Sequence, residues 1–303
     1  LQTARHPSTR LIQVLNPKVI VLGLHGAGSS TKIRSLLDHL HEPAAFVPID
    51  ISGEHLVRAA SELKASYPGI EINPVVADFT GPFEISVPTI KPSRKVVYFP
   101  GSTIGNFTPR DASNLLKEMA ERAAGGGVLI GVDLDKDPEI LHAAYNDRKG
   151  VTAAFNLNLL VRLNREAGAD FSLSCFTHRA NYNADKARIE MRLHSERRQT
   201  VRIAGHTFYF EAGESILTEY SHKYTVESFG VIVGEAGFRT RQVWTDEDGL
   251  FSVQYLELSG TQDRHPEPRG EEPALSLTQE SPGLLLATSL NREPQPRTTV
   301  VGV

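Results

Sequence analysis

Short apolar runs alternate with segments of helical periodicity through the first half of the chain, and this alternation most constrains the fold. The predicted strands cover 18–24, 45–50, 70–76, 95–99 and 128–134. Between them, apolar residues recur three and four positions apart, as in Ile33, Leu36, Leu37 and Leu40. Strands that alternate with helices predict a parallel sheet with right-handed crossovers, the open α/β class.

A glycine turn follows the first predicted strand, where doubly wound folds hold a nucleotide-like cofactor. Three interpretations of Gly26 and Gly28 compete. A phosphate-binding P-loop fails because Ser29 follows Gly28, and a dinucleotide fingerprint lacks its third glycine because Thr31 stands there. The looser two-glycine turn of methyltransferases that use S-adenosylmethionine (SAM) fits best.

Acidic residues follow the second and third predicted strands. Asp50 ends the second strand, where a carboxylate can accept both ribose hydroxyls of a cofactor. The alternative role for Asp50 is helix capping, for which Ser52 is better placed. Asp78 and Phe79 follow the third strand, where an acid and an aromatic ring can bind and stack on adenine.

The pattern changes after Asp137. A helix over 138–167, in two pieces, precedes strand candidates at 171–182, 187–194, 200–204 and 207–211, several of which alternate with period two. A helix at 226–235 and strands at 239–245 and 251–258 then predict an antiparallel closure of the first sheet. We therefore expect a poorly patterned segment (1–17), a SAM-binding Rossmann-like domain (18–136), a β-rich substrate-binding or lid insertion (137–224), closing elements (225–258) and a disordered, proline-rich tail (261–303).

Composition and charge limit the kinds of partner that this chain is expected to bind. The net charge is −4 with no basic block, which argues against nucleic acid or an anionic membrane as partner. No apolar run is long enough to span a bilayer. Cys175 is the single cysteine, so no internal disulfide forms. The histidines show no metal-ligand spacing. We expect a cytoplasmic, monomeric protein that binds a small molecule and no metal.

Residues 99–107, FPGSTIGNF, resemble the signature of the histidine-specific Nα-methyltransferases of ergothioneine biosynthesis. The resemblance extends from about Ile20 to Leu258. Further matching motifs are AYND at 144–147, GVTAAFN at 150–156, RIEM at 188–191 and LTEYS at 217–221.

This resemblance implies a class I SAM-methyltransferase fold and methylation of the α-amino nitrogen of L-histidine to trimethylhistidine (hercynine), the first step of ergothioneine biosynthesis. The cofactor-binding residues it implies are Gly26, Lys32, Asp50, Asp78, Phe79 and Gly101. Asn106 and Tyr145 would hold the substrate carboxylate, Glu219 and Ser221 would read the imidazole, and Met191 would line the pocket. No catalytic residue is assigned, because methyl transfer is an in-line displacement in which the protein mainly positions the amine.

Two departures from the family pattern leave alternatives open. Leu24 and His25 precede the glycine turn where the family has an acidic residue, and residues 1–17 do not resemble the family's additional N-terminal segment. We expect a truncated or diverged member. The alternatives are a methyltransferase for another amine or amino acid and a catalytically silent SAM-binding protein.

Overall fold

The computed structural model describes residues 18–24, 30–123 and 125–260. Gly26, segment 1–17 and the predicted tail 261–303 therefore lie outside the described residues. Elements are numbered within the described ranges.

The first half of the chain folds as the alternation predicts. The strands are β1 (Val19–Leu24), β2 (Ala45–Asp50), β3 (Glu71–Ile72), β4 (Val75–Val76), β5 (Arg94–Phe99) and β6 (Gly127–Asp133), and the helices are α1 (Ser30–Leu37), α2 (Gly53–Ser66) and α3 (Pro109–Ala123). The third predicted strand is split in two, and Pro74, which has no N–H to donate to a ladder, lies at the break.

The second half contains the insertion and the closing elements. It comprises α4 (Pro138–Tyr145), α5 (Val151–Glu166), β7 (Phe176–Asn183), β8 (Arg188–Ser195), β9 (Gln199–Ile203), β10 (His206–Phe210), β11 (Ser215–His222), α6 (Val226–Glu235), β12 (Phe238–Thr245) and β13 (Phe251–Leu258). Strand β8 alternates strictly between partly exposed and buried residues, as predicted from its sequence.

The main sheet has the order β12-β13-β6-β5-β1-β2-β3, with β4 also paired to β2. Strands β1, β2, β5 and β6 are parallel, whereas β13 is antiparallel to both β6 and β12. The predicted fold class, a Rossmann-like methyltransferase sheet with an antiparallel closing strand and a β-rich insertion, is confirmed.

Helices cover both faces of this sheet. On one face α3 and α6 bury Leu116, Met119 and Phe229 against β1, β5 and β6. On the other face α1 and α2 bury Ile33 and Leu63. Burial of each large apolar side chain contributes about 1.5–3 kcal/mol, so these layers fix the sheet and the loops at its carboxyl edge.

The insertion forms an antiparallel sheet of order β11-β8-β7 and a hairpin of β9 and β10. Helix α4 packs Leu141 on this small sheet beside Ile189 and Met191, and α5 packs Leu160 beside Phe176 and Leu193. Strand β11 was not among the strands predicted from sequence. It carries two of the predicted substrate-binding residues, Glu219 and Ser221.

Among the described residues, no helix combines the length and the apolar composition that crossing a bilayer requires.

Candidate active site

The loop after β5 forms a tight turn at the carboxyl edge of the main sheet. Gly101 has φ +81° and Ser102 has φ +59°, so the chain reverses through left-handed backbone, which favours glycine. The hydroxyl oxygen of Ser102 accepts the Asp133 N–H at 2.9 Å, which fastens the loop to the end of β6. A 3₁₀ turn over Thr103–Asn106 follows and leaves Asn106 exposed.

This loop touches β11 through Gly105. A Cβ atom on Gly105 would lie 2.8 Å from the carbonyl oxygen of His222 and 3.3 Å from its nitrogen. Only glycine allows so close an approach of two backbones. The contact brings Asn106 and the polar residues of β11 to the same place.

A polar cavity of about 450 Å³ lies where the loop, β6, α4 and β11 meet. Its lining residues are Gly101, Ser102, Thr103, Asn106, Asp133, Tyr145, Phe155, Glu219, Ser221 and Phe251. Tertiary structure therefore brings together four of the five predicted substrate-binding residues and the predicted cofactor-binding Gly101.

Met191 is the exception. It is 3% exposed and belongs to the apolar cluster beneath Tyr145, and it is not among the cavity-lining residues. Met191 faces Glu219 across the β8–β11 ladder. In this structure Met191 supports the wall of the cavity from behind.

A buried hydrogen-bond network forms the floor of the cavity. The hydroxyls of Tyr145 and Ser221 lie 2.8 Å apart. The Lys223 ammonium donates to Tyr145 Oη at 2.8 Å, to Ser221 Oγ at 2.7 Å and to Asp133 Oδ2 at 2.7 Å. Its side chain is completely buried. Helix α4, β6 and β11 are thus linked at one ammonium group.

Glu219 lies in a partly buried part of the same wall. A bulge between Leu217 and Glu219 shifts the register of β11 against β8. Burial raises the pKa of the Glu219 carboxyl above its ordinary value, and the nearby Lys223 charge opposes this shift. When ionised, Glu219 offers the cavity hydrogen-bond acceptors only.

The position of Tyr145 at the end of α4 is fixed by neighbouring side chains. His178 Nε2 lies 2.9 Å from the Tyr145 carbonyl oxygen, which can only accept, so this nitrogen carries the proton. His178 Nδ1 then accepts from Asn156 Nδ2 at 2.9 Å. The amide of Asn146 bonds both the N–H and the carbonyl of Ala180. These contacts hold α4 to β7.

The predicted cofactor-binding residues follow strands of the same sheet edge. Asp50, 7% exposed, ends β2, and its Oδ1 accepts the Ser52 N–H at 2.7 Å. Ser52 occupies the N-cap position of α2, as expected, but its side chain makes no capping hydrogen bond, and its own N–H is bound by the Asp50 carboxylate.

Asp78 and Phe79 follow β4. Thr80 donates its N–H and its hydroxyl to Asp78 Oδ1, at 2.9 and 2.7 Å, and these bonds lower the pKa of the Asp78 carboxyl. The Phe79 ring is partly exposed and packs edge-on against Phe99, with centroids 5.5 Å apart. An acid with a lowered pKa and a partly exposed ring therefore follow one another at this strand end.

A second cavity, of about 490 Å³ and mostly apolar, adjoins the polar one at Gly101 and Phe251. It extends between α1 and the β12–β13 hairpin and is lined by residues that include Lys32, Tyr98, Gly131, Trp244 and Val253. The Lys32 ammonium lies 3.4 Å from where a Cβ of Gly101 would be. Lys32 and Gly101 therefore meet where the two cavities join.

The sequence analysis assigned no role to six residues of the polar cavity and its floor: Ser102, Thr103, Asp133, Phe155, Lys223 and Phe251. Asp133 ends β6 as Asp50 ends β2, so the rule that identified Asp50 could have found it. Phe155 is 68% exposed beside the cavity. No local signal distinguishes Lys223 from a surface lysine. Among the described residues, no group of three or more His, Cys, Asp or Glu side chains is placed to hold a metal ion.

The chain matches the family of histidine-specific, SAM-dependent methyltransferases over residues 6–258. A histidine N-alpha-methyltransferase of Mycolicibacterium smegmatis is 42% identical over 234 residues, which are 75% of this chain and 72% of that protein. The enzyme of the same name from Mycobacterium tuberculosis is 40% identical with the same coverage. Ergothioneine biosynthesis protein 1 of Neurospora crassa is 30% identical over 47% of this chain and 17% of that protein. Because the family match spans most of the chain and two relatives share at least 40% identity over more than two thirds of their own length, this chain belongs to the histidine-specific, SAM-dependent methyltransferases.

Proposed function

We propose that this chain transfers methyl groups from SAM to the α-amino nitrogen of L-histidine and, in successive rounds, produces Nα,Nα,Nα-trimethylhistidine, the ergothioneine precursor. The observation that carries the proposal is the polar cavity, where Asn106, Tyr145, Glu219 and Ser221 converge from three separate parts of the chain. Family membership supplies the cofactor, and the named relatives supply the substrate and the pathway.

The proposed substrate orientation follows from the chemistry of the cavity wall. Asn106 and Tyr145 donate hydrogen bonds to the carboxylate of histidine, and Glu219 and Ser221 bind its imidazole. A site built to hydrogen-bond a polar side chain rejects analogues that lack it, because its own buried groups would lose their partners. The partly buried Glu219 carboxylate is such a group.

The proposed cofactor orientation uses the carboxyl edge of the main sheet. Asp50 binds the ribose hydroxyls, Asp78 and Phe79 bind adenine, and Lys32 and Gly101, together with Gly26, hold the methionine end. SAM supplies an electrophilic methyl on a sulfonium. The protein aligns the amine with that methyl and excludes water, which can contribute several kcal/mol to lowering the barrier.

The proposal divides the work between the two parts of the chain. Segments 18–136 and 225–258 hold the cofactor, and segment 137–224 supplies most of the substrate contacts. We also propose that the enzyme acts in the cytoplasm, since its single cysteine, Cys175, forms no internal disulfide, and that it acts as a monomer. Sedimentation velocity of the purified chain tests the oligomeric state, and we expect a single species with the mass of one chain.

The direct test is to incubate the purified chain with SAM and L-histidine and to follow products by mass spectrometry. We expect three successive methyl additions, all on the α-nitrogen. Asn106→Ala should weaken histidine binding by roughly tenfold, the loss of one hydrogen bond to a charged group, and leave binding of S-adenosylhomocysteine unchanged. Equal loss of both ligands would contradict the assigned role. Cofactor binding without histidine turnover would favour another amine substrate or the silent alternative.

A further inference from the structure

Lys223, the residue after β11, uses its whole hydrogen-bonding capacity inside the protein. An ammonium group has three donor protons and no acceptor. Those of Lys223 go to Asp133 Oδ2, Ser221 Oγ and Tyr145 Oη, at 2.7, 2.7 and 2.8 Å. With its side chain fully buried, Lys223 cannot itself reach a ligand. Any effect it has on the substrate passes through Tyr145 and Ser221.

The ammonium biases the hydrogen bonding of these two hydroxyls toward donation. Each hydroxyl oxygen accepts from Lys223, which uses one of its two lone pairs, and the adjacent positive charge makes the O–H a stronger donor and the second lone pair a weaker acceptor. In the 2.8 Å contact between Tyr145 and Ser221, one hydroxyl donates to the other. A ligand that accepts from both hydroxyls replaces this contact, and toward such a ligand both hydroxyls are donors.

Glu219 has the opposite hydrogen-bonding role, because an ionised carboxylate can only accept hydrogen bonds. The same wall thus offers an acceptor at Glu219 and a donor at Ser221. Around Lys223 lie the carboxylates of Asp133 on β6 and Glu219 on β11 and the ammonium of Lys136 just after β6, and the two ammonium groups balance the two carboxylates. The neighbouring His222 imidazole also interacts with Lys223, and burial lowers its pKa, which favours its neutral form. Such a site has no net charge with which to attract a cationic side chain.

We propose that Lys223 is a positioning residue that makes Tyr145 and Ser221 donors toward the cavity, so that the site selects the neutral imidazole of histidine. One ring N–H then faces Glu219, and the bare ring nitrogen faces Ser221. An imidazolium would present a second N–H to the Ser221 proton, close to the buried ammonium. This inference rests on histidine being the substrate.

The first test is Lys223→Met, with Lys136→Met as matched control. Both lysines contact Asp133, but within the described part of the chain the other hydrogen bond of the Lys136 ammonium goes to the Leu250 carbonyl and not to the two hydroxyls. In protein saturated with S-adenosylhomocysteine, titration calorimetry should show that Lys223→Met weakens L-histidine binding by roughly tenfold or more. Lys136→Met should stay within about threefold of wild type. Affinity for S-adenosylhomocysteine should be unchanged in both variants.

A double-mutant cycle with Ser221→Ala separates positioning from general loss of structure. If Lys223 acts through the Ser221 hydroxyl, Ser221→Ala should weaken histidine binding clearly less in the Lys223→Met background than in wild type. If the two substitutions act independently, the fold-loss of histidine affinity in the double variant equals the product of the fold-losses in the two single variants. That result would overturn the positioning role.

A wild-type measurement keeps the inference testable even if Lys223→Met does not fold. L-histidine is compared with β-(1,2,4-triazol-3-yl)-L-alanine, which has both a ring N–H and a bare ring nitrogen and stays neutral between pH 5 and 8. Because an imidazole has a pKa near 6.5, histidine affinity should fall about 30-fold more than triazole affinity as pH drops from 8 to 5. Titration of Glu219 affects both ligands alike. A relative gain for histidine at low pH would overturn the inference.

The outcomes distinguish the inference from the proposed function. If wild-type protein loaded with S-adenosylhomocysteine does not bind L-histidine at pH 8, the proposed function and the inference both fail. If it binds histidine and Lys223→Met behaves like Lys136→Met, only the inference fails. The inference is supported if the double-mutant cycle shows coupling between Lys223 and Ser221 and if histidine loses more affinity than the triazole analogue at low pH.

Discussion

The Lys223 ammonium lies 2.7 Å from Asp133 Oδ2, and this pair joins the small sheet of the insertion to the carboxyl end of β6 in the main sheet. The two residues are 90 positions apart in sequence. The Lys223 side chain is completely buried, and the Asp133 side chain is 21% exposed. The ion pair therefore sets how the two halves of the polar cavity meet.

Asp133→Ala should lower the free energy of unfolding by about 3–5 kcal/mol, because it leaves the buried Lys223 ammonium without its counter-ion. Urea unfolding followed by circular dichroism measures this change. Lys136→Met is the comparison, because Asp133 and Lys223 remain paired in this variant. Its free energy of unfolding should fall by clearly less than that of Asp133→Ala. Equal losses for the two variants would contradict a special role for the buried pair.

Gly105→Ala should destabilise the protein by about 1–3 kcal/mol, because the new methyl would lie 2.8 Å from the His222 carbonyl oxygen and neither backbone can give way easily. It should also weaken histidine binding, since the loop carries Asn106. Gly230→Ala is the control. Among the described residues, apart from its chain neighbours and the backbone of its own helix, no atom lies within 4 Å of the added methyl at this glycine of α6, so alanine should stabilise the helix by about 0.5–1 kcal/mol. Thermal unfolding compares the two, and an unchanged Gly105→Ala protein would contradict the close approach.

Glu219→Gln should stabilise the folded protein at neutral pH while reducing discrimination between histidine and other amino acids. The pKa of Glu219 is raised in the folded state, so the folded state binds this proton more tightly than the unfolded chain. The contribution of Glu219 to stability therefore falls as pH rises from the ordinary glutamate pKa, about 4.3, through the raised value. The melting temperature of the variant relative to wild type should rise over that window and then level off.

Glu227→Gln provides a control of opposite sign. Hydrogen bonds at the start of α6, first from its own backbone N–H and then from Thr225, hold the pKa of Glu227 below its usual value. Its neutral replacement should bring no gain at pH 7. If both variants shift the melting temperature in the same direction with pH, the link to burial of Glu219 is wrong.

Asp50→Asn should weaken binding of S-adenosylhomocysteine by roughly tenfold or more, as expected when a charged acceptor of ribose hydroxyls is neutralised. Asparagine keeps an oxygen that can accept the Ser52 N–H, so the start of α2 should remain intact. Asp38→Asn is the matched control, because Asp38 follows the C-terminal end of α1, away from the strand end that carries Asp50. Calorimetry should show unchanged cofactor affinity in the control, and comparable losses would argue against ribose binding by Asp50.

Local sequence was enough to predict the succession of strands and helices along the chain that builds the main sheet. Apolar runs such as 95–99 and helical spacing such as Leu115, Leu116 and Met119 encode burial within a few residues, so they are readable without the fold. Strand β11 was not readable in this way. The bulge between Leu217 and Glu219 interrupts its alternation, and its burial comes from β8, which lies more than twenty residues earlier.

The sequence by itself determined the parallel sheet, the antiparallel closure and, through its motifs, the family. The same motifs singled out Asn106, Tyr145, Glu219 and Ser221 as candidate substrate-binding residues. Only the tertiary structure decided that these four residues line one cavity, that Met191 lies behind it and that Lys223 lies beneath it. The reason is physical. Periodicity and turn chemistry are properties of neighbouring residues, whereas a buried ammonium is stabilised by partners such as Asp133 and Tyr145, which come near it only when the whole chain has folded.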